Sequence, residues 1–301
     1  MQVFVTGASG FVGQEVVKEL LARGHKVKAL MRRSPKKPKD WEQVEVVLGD
    51  CLHPAFLQEA VRGSDAVIHL VGIIREFPGR GITFERLHVE ATKNVVDAAK
   101  AAGVRRYLHM SALGARPEPA DPYHVTNFRA DCYVMQSGLT YTIFRPSLIY
   151  GPRDQSINLF ARQIMRLPFV SIVGDGTYQL QPVPVWIVAQ AFALALELPD
   201  TENKIYEVGG PEPLTFDEII DTIAAVLNRK VSKIHQPLWC MQVAASLCGR
   251  FRWFPLTSGQ LRMLLEGNTC DPSAFYRDFG LTPVPFRQGL ARYLPDTLAN
   301  R

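Results

Sequence analysis

Met1-Gln2-Val3-Phe4-Val5-Thr6-Gly7-Ala8-Ser9-Gly10-Phe11-Val12-Gly13 joins an apolar run to three evenly spaced glycines. Val3, Phe4 and Val5 form a short apolar run of strand-forming residues. Val12, Val16, Val17, Leu20 and Leu21 then recur at helical spacing, and Gly24 stands where a helix C-terminal cap belongs. Gly7, Gly10 and Gly13 therefore lie where a strand turns into a helix. Glycine lets the backbone turn tightly and lets a pyrophosphate approach, and a helix N-terminus offers unpaired N–H groups to an anion. This strand–turn–helix context predicts a nucleotide-binding turn; a glycine turn without a ligand is the plainer alternative.

Outward from this turn, His25–Met31, Val44–Leu48, Ala66–Val71, Tyr107–Met110 and Thr140–Phe144 read as further strands. Glu85–Ala102 reads as a helix closed by Gly103. Strands alternating with helices predict an α/β fold, a doubly wound parallel Rossmann-type sheet over residues 1–150. Residues 151–301, where prolines are frequent and the alternation fades, form a smaller mixed region, with segments free to return to the sheet. Within it, Thr215-Phe216-Asp217-Glu218 is a capping box that opens a helix. His69 and His109 sit inside strands and read as buried structural residues.

Dinucleotide folds that select NAD carry an acidic residue after the second strand to hold the ribose 2′-OH. Here that place holds Arg32, followed by Arg33 and Ser34. Two guanidiniums and a hydroxyl suit a 2′-phosphate, so NADP(H) is the expected cofactor and NAD(H) the alternative. A solvated basic loop is the bland reading, and Lys36, Lys37 and Lys39 further out are general electrostatics.

The 301 residues are 47% hydrophobic and 21% charged, which excludes a disordered chain and a small disulfide scaffold. The longest apolar stretches fall short of the roughly 20 residues a spanning helix needs. No secretory signal is readable at the N-terminus, and five cysteines without a C-x-x-C suggest free thiols, so a cytoplasmic setting is expected. The net charge of +5 is local: five basic residues lie in 32–39, and residues 229–301 carry ten basic against four acidic. Without a broad basic stripe, no nucleic-acid partner is expected.

Three further segments carry a resemblance. They are Arg106-Tyr107-Leu108-His109-Met110-Ser111-Ala112-Leu113-Gly114-Ala115, Thr142-Ile143-Phe144-Arg145-Pro146-Ser147-Leu148-Ile149-Tyr150-Gly151-Pro152, and Leu256-Thr257-Ser258-Gly259-Gln260-Leu261-Arg262 with its continuation to Asn268. With the G-x-x-G-x-x-G turn, they resemble the extended and atypical branches of the short-chain dehydrogenase/reductase superfamily. Within those branches they resemble the subgroup of bacterial relatives of the nucleotide-binding accessory subunit of mitochondrial complex I. Two departures stand out: Trp186-Ile187 replaces a pair that begins with Asp, and Gly259 replaces an acidic residue.

The resemblance implies a cofactor set of Thr6, Gly7, Ser9, Gly10, Phe11, Val12 and Gly13 from the turn, and Arg32, Arg33 and Ser34 after the second strand. It adds Asp50 and Cys51 after the third strand, Val71 and Gly72 after the fourth, and Tyr123, Pro146, Leu148 and Ile149. Asp50 would face the adenine amino group; it reads equally well as a helix N-cap. The superfamily's chemistry uses a Ser or Thr with Tyr-x-x-x-Lys, in which the lysine lowers the tyrosine pKa. Ser111 and Tyr123 match, but the lysine position is Asn127, and no lysine occurs between Lys100 and Lys204. A tyrosine without help titrates near ~10. The expectation is a nucleotide-binding accessory, assembly or regulatory protein near respiratory complexes. An NADP-dependent reductase, epimerase or dehydratase of a small or nucleotide-linked substrate is the alternative.

Residues 238–254 are apolar and aromatic, with Arg250 and Arg252 among them. A core helix is one reading. The other is a face for a membrane-associated or respiratory-complex partner, which would set the protein against the inner membrane face.

Overall fold

Seven strands form one parallel sheet, and its strand order puts the first strand between the second and the fourth. The structure is a computed structural model that describes residues 1–32, 38, 41–118, 121–248 and 257–299. The first stretch of chain runs β1 (Gln2–Thr6), α1 (Phe11–Ala22), β2 (Lys26–Met31), β3 (Glu45–Leu48), α2 (Pro54–Val61), β4 (Ala66–His69), α3 (Ala91–Ala101), β5 (Arg106–Met110), α4 (Pro122–Met135) and β6 (Thr140–Pro146). There follow β7 (Ile149–Tyr150), α5 (Ile157–Arg166), β8 (Phe169–Val173), β9 (Gln179–Leu180), β10 (Val183–Pro184), α6 (Val185–Leu194), β11 (Lys204–Val208), β12 (Leu214–Thr215), α7 (Phe216–Val226), β13 (Ser232–Gln236), α8 (Leu238–Cys248), α9 (Ser258–Glu266), α10 (Ser273–Phe279) and α11 (Phe286–Ala299).

The chain divides into two units. One comprises Met1–Pro146, Trp186–Glu207 and Ser273–Leu281; the other comprises Ser147–Val185, Val208–Pro272 and Thr282–Arg301. The first boundary thus falls four residues before the expected 150, and two later segments return to the first unit. Its sheet runs β11-β6-β5-β4-β1-β2-β3. Phe4, Val67, Tyr107 and Ile143 join Leu57, Val95, Val96 and Val134 of α2, α3 and α4 in one apolar core. Phe144, Phe192, Phe275 and Phe279 pack with Tyr206 in a second, aromatic cluster of mostly tilted and edge-on rings. Arg106 ties the returning segment in place, its guanidinium donating to the Ala195 carbonyl and to the Thr142 and Thr201 hydroxyls.

The second unit carries three two-stranded sheets, β7 with β10, β9 with β12, and β8 with β13. Its α7 begins with the expected capping box: Thr215 Oγ1 accepts from the Glu218 N–H, and the Glu218 carboxylate accepts from the Thr215 N–H. No helix among the described residues is long and apolar enough to cross a membrane.

Three expected elements differ clearly from the observed ones. The fourth strand ends at His69, two residues early, and the sixth runs two residues past its expected end, to Pro146. The helix expected over Glu85–Ala102 starts as a π-helix over Glu85–Glu90 before α3 takes over. The wider turn lets His88 reach out to Ile73, whose carbonyl lies 3.0 Å from its Nε2.

The middle of the sheet is polar. Parallel register sets Thr6 beside His69 and His69 beside His109. Thr6 Oγ1 lies 2.7 Å from His69 Nδ1, and the two imidazoles stack at 5.6 Å between centroids. All three side chains are buried. Burial disfavours the charged imidazoles of this row and of His88, lowering His69 to about 3, His88 to about 4, and His109 well below its ordinary value. In the unfolded chain these imidazoles titrate near ~6.5. Below that pH the unfolded state binds more protons, so the stability these groups contribute is present above about 6.5 and is lost as pH falls toward 4. Asp131, raised to about 6 by burial, and Asp154, also raised by burial, act in the opposite sense but are two groups against three. Urea unfolding of the protein should therefore show stability falling between about pH 6 and pH 4.5, by about 1.4 kcal/mol per pH unit for each net proton. His109→Gln should flatten that slope by about one proton, and a slope unchanged by the substitution would contradict the assignment.

Candidate functional site

The C-terminal ends of β1, β2, β3 and β4 converge on a cleft lined by Gly7, Ser9, Gly10, Leu30, Arg32, Gly49, Asp50, Cys51, Leu70–Ile73 and Leu87. It sits where the sheet order reverses, between β1 and β4, the place where open α/β sheets take ligands. Gly7 has φ +71°, and a side chain there would press on the Leu70 carbonyl at 2.8 Å. Its own carbonyl accepts from the Gly10 N–H at 2.9 Å, closing the turn. A Cβ on Gly13 would collide with that same Gly7 carbonyl. Gly10, with φ −72°, is the N-cap of α1 and brings no side-chain cap to it. The first-turn N–H groups of α1 therefore point toward the cleft without a side-chain acceptor, as an anion site requires. This cradle fits a dinucleotide: glycines where the pyrophosphate comes closest, a helix N-terminus for its charge, and Arg32 on the rim.

The other expected cofactor residues divide by position. Ser9, Arg32, Asp50, Cys51, Val71 and Gly72 line the cleft with Gly7 and Gly10. Asp50 is no helix cap; His53 holds that position, and the Asp50 carboxylate accepts from the Leu52 N–H at 3.0 Å in a local turn. Burial beside Asp50 pushes the Cys51 thiol up to about 12, so it stays protonated. Thr6 turns its hydroxyl into the sheet toward His69, while Val12 is buried and Phe11 half-buried at the start of α1. Arg33 and Ser34 lie outside the described residues. Pro146 ends β6, where its carbonyl accepts from the Leu113 N–H. Leu148 and Ile149 belong to the second unit, where the Leu148 carbonyl accepts from Val183 and Ile149 pairs with Val183 in β7 and β10.

Ser111, Tyr123 and Asn127 come from the end of β5 and the first turns of α4. Asp121 caps that helix by accepting from the Tyr123 N–H. Tyr123 is ringed by Phe84, His88 and His124 at 5.5–5.6 Å between centroids. Burial in this setting pushes its phenol up to about 12. The Asn127 amide donates to the Tyr123 carbonyl at 2.8 Å and lies 3.4 Å from His88 Nδ1. Ser111 Oγ donates to Asp131 Oδ2 at 3.0 Å, and Arg145 approaches the same oxygen at 2.8–2.9 Å. The guanidinium and the hydroxyl oppose the effect of burial on Asp131. Among the described residues no group of three or more metal-ligating side chains forms.

Sequence reasoning passed over His88, Asp131 and Arg145. Asp131 had a readable signal, since Tyr123, Asn127 and Asp131 follow one another at four-residue intervals and share a helix face. His88 had none, because its partners Ile73 and Thr126 are brought to it only by the fold.

A family model described as NAD(P)H-binding matches residues 7–163. The mitochondrial NADH-ubiquinone oxidoreductase 40 kDa subunit of Neurospora crassa is 25% identical, over 98% of this chain and 79% of that protein. The 2-alkyl-3-oxoalkanoate reductase of Stenotrophomonas maltophilia is 29% identical, over 97% and 98%. Among solved structures, MoeE5 in complex with UDP-glucuronic acid and NAD is similar with a TM-score of 0.81 at 23% identity, covering 100% of both chains. That likeness is one of fold.

The turn makes a contrast between two glycines. Gly13→Ala sets a methyl group against backbone that cannot yield, and should cost about 1–3 kcal/mol in urea unfolding. Gly10→Val, at an ordinary φ, should keep near-native circular dichroism but lose NADPH binding in a fluorescence titration. Native affinity in Gly10→Val would reduce the turn to a structural element.

Proposed function

The chain belongs to the NAD(P)H-binding family, and from that premise we propose that it binds NADP(H) and serves as an accessory, assembly or regulatory protein near respiratory complexes, with little or no turnover. The observation that carries this reading is Asn127. In the resembling reductases the corresponding lysine supplies a positive charge beside the tyrosine. The amide supplies none, and it is already engaged with the Tyr123 carbonyl. Burial therefore acts on Tyr123 unopposed and keeps its proton on Oη at neutral pH. A nicotinamide cofactor, when bound, supplies hydride transfer. For that chemistry the chain offers a serine hydroxyl committed to Asp131 and a phenol that is a poor base.

The relatives support the setting. The Neurospora crassa protein is named as a subunit of NADH-ubiquinone oxidoreductase, and the Dictyostelium discoideum protein, 28% identical, as subunit 9 of the NADH dehydrogenase (ubiquinone) 1 alpha subcomplex. On this reading the protein works in the cytoplasm, peripheral to the inner membrane face. A second reading, an NADP-dependent reductase or epimerase, is favoured by the near full-length match to 2-alkyl-3-oxoalkanoate reductase.

Two experiments test these proposals. Arg32 and Arg33 should make NADPH bind at least ~10-fold more tightly than NADH, about 1.4 kcal/mol, and replacing both by alanine should erase the difference. Equal affinities in the unmodified protein would remove the basis for NADP preference. In hydride-transfer assays with carbonyl and sugar-nucleotide substrates, the unmodified protein should stay below ~1 s⁻¹, the low end of ordinary enzymes. Faster turnover that vanishes in Tyr123→Phe would replace the accessory reading with the reductase one.

A further inference from the structure

A strip of exposed apolar side chains follows one small sheet of the second unit. Leu167 and Phe169 lead into and open β8, Ile234 stands in β13, and Leu238, Trp239 and Val243 occupy the first turns of α8. Their exposures are 43, 39, 44, 38, 67 and 53%, high for residues of this size. In the parallel register Phe169 lies beside Ser232 and Ser171 beside Ile234, so Phe169 and Ile234 share one face of the sheet. Lys233 and His235 alternate onto the other face. There Lys233 Nζ meets Asp221 at 2.8 Å and Asp217 at 3.1 Å, and His235 Nε2 meets Asp217 at 3.1 Å. The carboxylates near the sheet are thus engaged behind it. Pro237 alone separates β13 from α8, and Leu238 lies against Gly174 at the end of β8, which holds the start of α8 at the end of this sheet. Trp239 and Val243 are one helical turn apart.

The charge beside this strip is mainly positive; Asp217 and Asp221 are paired behind β13, and Asp175, just past the end of β8, is hydrogen-bonded to Thr177. Residues 155–174 and 229–265 contain no Asp or Glu, and they carry eight Arg and Lys. Of these, Arg166, Arg229 and Lys230 are exposed, and Pro168, between Leu167 and Phe169, accepts a hydrogen bond from Ser232 next to the Arg229–Lys230 turn. A neutral apolar partner would leave these cations unused. An anionic lipid surface uses both features, since aromatic side chains settle at headgroup level while cations meet the negative surface potential. We propose that this face of the second unit docks on an anionic lipid bilayer, seating Phe169 and Trp239 among the headgroups and setting Arg166, Arg229 and Lys230 against lipid phosphates. The proposal deepens the accessory reading and rests on it for its biological setting; the chemistry stands on the surface itself.

The test uses the full chain with vesicles of equal parts phosphatidylcholine and phosphatidylglycerol, and with phosphatidylcholine alone. Sedimentation should show at least ~10-fold tighter binding to the anionic vesicles, weakening as salt is raised. Brominated lipid should quench tryptophan emission, and Trp239→Phe should remove most of that quenching. Phe169→Ser with Trp239→Ser should abolish sedimentation while the thermal midpoint and NADPH affinity stay native. Equal binding to both vesicle types, or unchanged binding by the double variant, would overturn the proposal. Concentration-dependent self-association that is lost in the double variant, without vesicle binding, would assign the face to a second copy of the chain instead. Vesicle binding by a protein that fails to bind NADPH would sink the nucleotide reading and leave the docking surface standing.

Discussion

The Gly7 carbonyl oxygen leaves no room for a side chain at residue 13 and closes the turn through the Gly10 N–H. Gly7 itself is pressed against the Leu70 carbonyl, where β4 has just ended. Three backbone segments therefore meet without an intervening side chain: the end of β1, the start of α1 and the exit of β4. That close approach leaves the helix N-terminus facing an open cleft. It also brings the ends of β2 and β3 into the same cleft, since β2 pairs with β1 and β3 with β2.

Beneath the cleft the sheet is unusually polar. Thr6, His69 and His109 lie side by side on three adjacent strands, and Asp131 stands 3.7 Å from His109 on the α4 side. Such a row is tolerable because the imidazoles remain neutral and Asp131 gains Arg145 and Ser111 as partners. The same low-dielectric setting governs Tyr123. Burial moves a phenol, an imidazole and a carboxyl each toward its neutral form, and only a nearby opposite charge reverses the direction. Asp131 has such a charge in Arg145, which limits the rise caused by burial without reversing it. Tyr123 has the amide of Asn127 on its own helix and aromatic rings around it, which is why its proton is held so firmly.

His88 links these two levels. Its ring joins Ile73, beyond the end of β4, to Thr126 on α4, and the π-turn of Glu85–Glu90 gives it the reach. The cleft wall at Gly72–Ile73 and the helix bearing Tyr123 are thus held by one neutral imidazole.

The doubly wound sheet, the glycine turn and the missing lysine were legible in the residues alone, because each is local. A strand-to-helix switch, a glycine triplet and a four-residue helical spacing are written in consecutive residues. Strand limits were legible to within two residues, and the capping box at Thr215 was read correctly. The Asp50 turn and the His53 cap of α2 are also local, but two neighbouring residues competed for that cap and the spacing favoured neither. The assembled fold, by contrast, set Asp131 and Arg145 around Ser111 and brought His88 to Ile73. It also decided which segments return to the sheet, and that Phe169 and Ile234, 65 residues apart, share one exposed face. These depend on contacts between residues distant in the chain, made only when the sheet assembles, and no periodicity along the sequence encodes them.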